Sequence, residues 1–141
     1  MRFDLIPYTP GIVGGYLAEF HPGPPAACHW SERSLYMDGD VFEALVFLVG
    51  PFTLKVKTPV ILEGAAVERL ADELDDIARQ VSHAESPKAI WPYSASYGYT
   101  QFNSVRDWPC ERQAFTRMLR ELGAWTRKAQ DGGQPVSIRS M

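Results

Sequence analysis

The sequence is poor in the features that announce chemistry. Its two cysteines, Cys28 and Cys110, stand far apart in 141 residues with no CxxC spacing. That pattern signals neither a disulfide framework nor a zinc site, and reduced, inert thiols in a cytosolic protein are the expectation. No GxSxG, HExxH or GxxxxGK[ST] stretch occurs, which leaves the nucleophile elbow, the zinc-protease helix and the P-loop without support. Gly11, Gly14 and Gly15 lack the Lys and following helix of a phosphate cradle, so they read as a turn or bulge. The acids between positions 72 and 76 fall on a helical pattern, which cannot wrap one calcium ion. No metal and no cofactor is implied.

Long apolar runs are missing too. The longest, residues 44 to 49, is far below the length of a bilayer-spanning helix. Asp4 stands where a signal peptide would begin its apolar region. No membrane association is expected, and the cytoplasm is the expected location. Positive charge is also short: 14 basic residues face 17 acids, for a formal net charge of −3. A general nucleic-acid binder needs a basic surface to neutralise phosphates, so nucleic acid is not an expected partner.

Hydrophobic residues make up 45% of the chain and aromatics 12%, enough apolar area to offset chain entropy without a metal or crosslink. The length fits a single domain over residues 1–141, and no repeat period is visible. Arg2 to Tyr8 reads as a strand stopped by proline, and Ile12 to Phe20 as a second with a bend at Gly14-Gly15. His21-Pro22-Gly23-Pro24-Pro25 reads as an exposed loop. Residues 40 to 49 fit a short buried helix, with Asp40 and Glu43 at capping-box spacing, but their β-branched and aromatic content suits a strand as well. Phe52 to Lys57 alternates as a half-exposed strand, and Val60 to Leu62 can extend it.

Two helices stand out. Val67, Leu70, Ala71, Leu74, Ile77, Ala78 and Val81 recur at helical spacing, opposite Glu68, Asp72, Asp75, Asp76 and Arg79. A second helix begins after Asp107, its N-cap, with Pro109 in the first turn. Phe115, Met118, Leu119, Leu122 and Trp125 form its stripe, and Arg127 and Lys128 suit its C-terminal dipole. Asp131-Gly132-Gly133 is a turn, and Val136 with Ile138 a final short strand. Together these imply an α+β fold: an antiparallel sheet with two long amphipathic helices packed on one face.

The candidate site follows from charge and aromatics. Residues 63 to 86 hold seven acids against two arginines, whereas residues 105 to 128 hold six basic residues against three acids. Asp72, Glu73, Asp75 and Asp76 lack i+4 lysines, only Asp75 finding Arg79 at that spacing. Between the helices, Trp91, Tyr93, Tyr97 and Tyr99 share one face of any strand drawn there. Trp91 is expected in the core, with Tyr97 and Tyr99 nearer the surface. A small acidic domain without a catalytic constellation fits a non-enzymatic binding module. The closest role is an immunity protein or inhibitor that occludes the active site of a basic toxin or enzyme. Acids would pair with the basic surface, and Tyr97 and Tyr99 would anchor in the cleft. The alternative is a small-molecule-binding protein or enzyme using the Tyr93–Tyr99 face and the His21–His29 loop, where His21, Cys28 and His29 cluster.

Overall fold

The computed structural model describes residues 3–7, 16–25, 31–49, 60–90 and 107–140. Within them the chain runs β1 (Ile6–Pro7), β2 (Leu17–Pro22), β3 (Leu35–Asp38), α1 (Gly39–Leu48), β4 (Val60–Leu62) and α2 (Ala65–His83). A 3-10 turn (Pro87–Ala89), α3 (Trp108–Asp131) and β5 (Val136–Ser140) follow. The strands form one antiparallel sheet in the order β1-β3-β2-β5-β4, so the last strand slots between β2 and β4. The fold is α+β, as strands clustered at the front and middle of the chain with two long amphipathic helices imply.

Period-two alternation decides which face of the sheet meets the helices. Ala18 pairs with Met37, and Phe20 pairs with Ile138. These side chains join Val136, Leu62 and the apolar stripes of all three helices in one core. Each fully buried leucine in it contributes about 1.5–3 kcal/mol. Phe20 meets Phe42 of α1 edge-on, with centroids 6.0 Å apart. The intervening residues, Glu19 and His21 on β2, Tyr36 on β3 and Ser137 and Arg139 on β5, point to the opposite face.

The α2 stripe is buried as its spacing predicts, from Val67 through Val81. Three points fix how α3 lies against it. Trp108 Nε1 and Arg112 Nη1 both donate to the carbonyl of Ala84, at 2.9 and 3.0 Å. Gly123 faces Leu74 and Asp75, and Arg127 reaches Asp72. Rising numbers on α3 meet falling numbers on α2, so the helices are antiparallel and their dipoles oppose. Asp107 caps α3 by accepting from the Cys110 N–H at 3.2 Å, with Pro109 in the first turn. At the other end Gly133 takes φ +66°, where Gly is favoured, and donates to Gln130 O while Gln134 N–H reaches Ala129 O.

Several local expectations change. Of residues 40–49, those up to Leu48 do form a helix, with Val49 at its C-terminal cap, but Asp38 caps its start, its Oδ1 accepting from the N–H of Asp40 at 2.9 Å and of Val41 at 3.4 Å. Glu43, expected to close a capping box with Asp40, instead accepts from the Tyr16 hydroxyl at 3.0 Å. His21 and Pro22, expected in an exposed loop, end the central strand β2 opposite Ser137 and Val136. Proline is tolerated there because the chain leaves the sheet immediately afterwards, and Gly23 N–H bonds Pro135 O at 2.7 Å. Of the strand expected over residues 2–8, the described residues 3–7 are strand at the edge pair Ile6–Pro7. Strand β3 was not anticipated. The readings on Gly14-Gly15, on residues 52–57 and on the aromatic segment from 91 onward lie outside the described residues. No helix among the described residues is long and apolar enough to cross a membrane.

Candidate partner-binding face

Like charges one helical turn apart repel by a few tenths of a kcal/mol per pair, so the acids of α2 call for compensation. For Asp72 and Asp75 it comes from α3 rather than from α2 itself. Gly123 carries no side chain where the helices meet; a Cβ there would lie 3.0 Å from Asp75 Oδ1 and 3.7 Å from Leu74 Cβ. One turn further along, Arg127 Nη2 donates to Asp72 Oδ1 at 2.8 Å and to Asp75 Oδ2 at 2.6 Å. These hydrogen bonds, to Asp75 first and then Asp72, hold the guanidinium pKa above the ordinary arginine value. Arg127 therefore clasps α2 instead of complementing its own helix end.

Arg79 pairs with Asp76, three residues before it, and not with Asp75 at the expected i+4 spacing. The side chains of Asp72 and Asp75 are 61% and 49% exposed and that of Arg127 is 41% exposed. At such exposure each pair is worth about 0–1 kcal/mol. The clasp orients the carboxylates more than it stabilises the fold.

Glu73 does not belong to this face. It is half-buried, and its Oε2 has no hydrogen-bond partner. Burial pushes its carboxyl pKa up, against a lowering pull from Arg69 and with a further raising effect of Asp76. The 100° step between Asp72 and Glu73 turns it toward the packed side. Of the four acids, the structure brings Asp72, Asp75 and Asp76 together at the surface. Tyr97 and Tyr99 lie outside the described residues, as do Trp91, Tyr93, Cys28 and His29. Cys110 is exposed in the first turn of α3. Among the described residues no group of His, Cys, Asp and Glu is arranged to hold a metal ion.

One polar cluster escaped the sequence reading. Glu19, 1% exposed, sits on the sheet face away from the helices. Its Oε1 accepts from Ser34 Oγ at 2.8 Å and Tyr36 OH at 3.2 Å, and its Oε2 pairs with Arg139 Nε. His21 Nδ1 lies 2.8 Å from Ser34 Oγ. Ser34 has one proton and gives it to the carboxylate, so the imidazole is the donor to Ser34. This order, His to Ser to Glu, leaves the serine without a general base and differs from a nucleophilic triad. Burial lowers the His21 pKa, against a raising pull from Glu19, and keeps the ring neutral at pH 7. The signal available in the sequence was an acid in an apolar run, Leu17-Ala18-Glu19-Phe20, whose partner lies 120 positions away.

Comparison with protein-family models, with curated proteins and with solved structures finds no match to this chain.

Proposed function

We propose that this chain is a protein-binding module, an inhibitor of the immunity-protein kind that acts in the cytoplasm. Its α2 face, Asp72, Asp75 and Asp76, docks on a basic toxin or enzyme and blocks the active site. The observation that carries this reading is the Arg127 clasp. It takes one oxygen of Asp72 and one of Asp75; Asp72 keeps its other oxygen for a partner's arginine or lysine, while Asp75 Oδ1 turns toward Gly123 at the helix seam. Both side chains are already ordered in the free protein, which lowers the entropy lost on binding. Asp72, Asp75 and Asp76 against Arg127 and Arg79 leave the face net negative, the sign that steering of a basic partner requires. Tyr97 and Tyr99 would supply the aromatic anchors, and Glu73 would support the acidic surface from behind.

The alternative, a small-molecule-binding protein or enzyme using the Tyr93–Tyr99 face and the His21–His29 loop, has less support. His21 is buried in the central strand with its Nδ1 engaged by Ser34.

The test begins with affinity purification from the native source and identification of the bound protein. The association rate of that protein is then measured by biosensor for wild type and for Asp72→Lys/Asp75→Lys/Asp76→Lys. The on-rate should fall at least tenfold in the variant, and the wild-type rate should fall as salt rises, since fields are screened over about 8 Å at physiological salt. Equal on-rates for the two proteins would remove the acidic face from the interface.

A further inference from the structure

The basic residues of α3 that the acidic face does not use gather on its outer side. Helical spacing places Gln113, Arg117 and Arg120 on the surface away from the core stripe. Arg112 joins them from the flank, where its Nη1 is fixed on the Ala84 carbonyl at 3.0 Å and its other nitrogen remains for a ligand. Together with Ser82 and Thr116 these side chains line an open groove of about 900 Å³.

The electrostatics of this groove are unbalanced. Arg112, Arg117 and Arg120 face one acid, Glu121, among the described lining residues. Neither Arg117 nor Arg120 forms an ion pair with a described residue, whereas Arg127 further along the same helix has two. Three guanidinium groups on adjacent turns repel one another, and a bound anion would relieve that repulsion. A second observation points the same way. Thr116 is 6% exposed and lines the groove, yet its Oγ1 has no hydrogen-bond partner. The oxygen itself is buried, so the side chain must rotate toward the groove before an acceptor there can satisfy the hydroxyl.

We propose that this groove binds a phosphorylated small molecule. The guanidinium fork matches phosphate oxygens in pairs, which a lysine ammonium does not. The volume lies at the upper end of the range for small-molecule sites and exceeds what one phosphate fills. The groove thus has room for an organic part beside the phosphates, with Gln113 as an additional donor. This site is separate from the Asp72–Asp75–Asp76 face, so it stands or falls independently of the inhibitor reading.

Calorimetric titration with inorganic diphosphate and with adenosine diphosphate tests it, using sodium sulfate at matched ionic strength as control. Saturable one-to-one binding is expected for both probes, tighter for adenosine diphosphate. At 100 times its Kd the ligand should raise the Tm by about 9 °C. Arg117→Gln/Arg120→Gln alters two exposed side chains, keeps the unliganded Tm, and should weaken binding at least tenfold. No saturable heat with either probe would overturn the proposal, as would equal affinity in the double variant. Binding of polyglutamate in place of either probe would also overturn it, assigning the groove to an acidic protein segment. A diphosphate affinity above that of adenosine diphosphate would remove the organic part from the inferred ligand.

Discussion

The Glu19–Arg139 pair makes a quantitative test of how this sheet is held together. Glu19 is 1% exposed and the Arg139 side chain 16%. The carboxylate accepts from three side chains, Ser34, Tyr36 and Arg139. Glu19→Gln keeps the shape and removes the charge. Its amide oxygen can still accept from Ser34 and Tyr36, but its NH₂ then faces the Arg139 Nε–H, donor against donor. Breaking a buried ion pair from one side costs about 3–5 kcal/mol. The partial exposure of Arg139 admits some water, so the lower end, about 3 kcal/mol, applies. For a chain of this length that corresponds to a Tm loss of about 10 °C.

The double variant Glu19→Leu/Arg139→Met should recover most of this loss. Both charges leave together, the Ser34 hydroxyl keeps the His21 ring and the Tyr36 hydroxyl keeps the Ser31 carbonyl. Well-packed apolar replacements of buried pairs are often neutral or stabilising. Urea or thermal melts of wild type, Glu19→Leu, Arg139→Met and the double variant close the cycle, with an expected coupling of about 2 kcal/mol or more. A Glu19→Gln cost below about 1 kcal/mol would refute the reasoning, as would single-variant costs that simply add.

Other perturbations read other links in the structure. His21 has its pKa lowered by burial, so the unfolded chain takes up its proton first as pH falls. Stability should drop as pH decreases from about 6.5 toward the folded-state pKa, and His21→Gln should flatten that part of a Tm-versus-pH profile. Glu73, with its pKa raised by burial, is the opposite case: its ionised form costs stability, and protonation removes that cost. Glu73→Met should raise the Tm at pH 7, and the gain should shrink as pH falls through the folded pKa toward about 4. Gly39→Ala would place a Cβ inside the ring of Tyr16, whose hydroxyl pKa is pushed up to about 12 by burial and then by its bond to Glu43. Overpacking of this kind should cost about 1–3 kcal/mol in a urea melt and shift the tyrosine titration in ultraviolet absorbance back toward about 10. Gly123→Ala gains up to about 1 kcal/mol of helix propensity but crowds Asp75 Oδ1. Its Tm should stay within a few degrees of wild type while the Arg127 clasp loosens and the partner dissociates faster.

What was legible in the sequence is what depends on near neighbours. The α2 stripe repeats over five turns, the Asp107 cap acts on the Cys110 N–H three residues on, and Asp131-Gly132-Gly133 carries its own turn geometry. Ambiguity entered where two residues offered the same local chemistry. Asp38 and Asp40 both suit an N-cap, and only the backbone leaving β3 selects Asp38. Prolines at 24 and 25 made His21 look like loop, because nothing local shows that a strand can run up to the first proline. The polar cluster was illegible for a stronger reason: Glu19 finds Arg139 across the sheet only after the last strand inserts beside β2. Arg127 was misread likewise, since a helix end and an opposing carboxylate are equally good partners until the second helix is in place.

The antiparallel pairing of α2 and α3 also explains how a chain of small net charge can carry two strong patches. The acids of α2 cluster near its middle, where α3 presents Arg127 from its C-terminal half. The remaining arginines, at 112, 117 and 120, occupy the N-terminal half of α3 beside the end of α2. Had the helices run parallel, those arginines would have lain along the acidic stretch and neutralised it. Opposed as they are, one cation ties the seam, one face stays acidic and the other stays basic. Most of the overall −3 is thus a difference between net −5 over residues 63–86 and net +3 over residues 105–128, the rest of the chain adding −1.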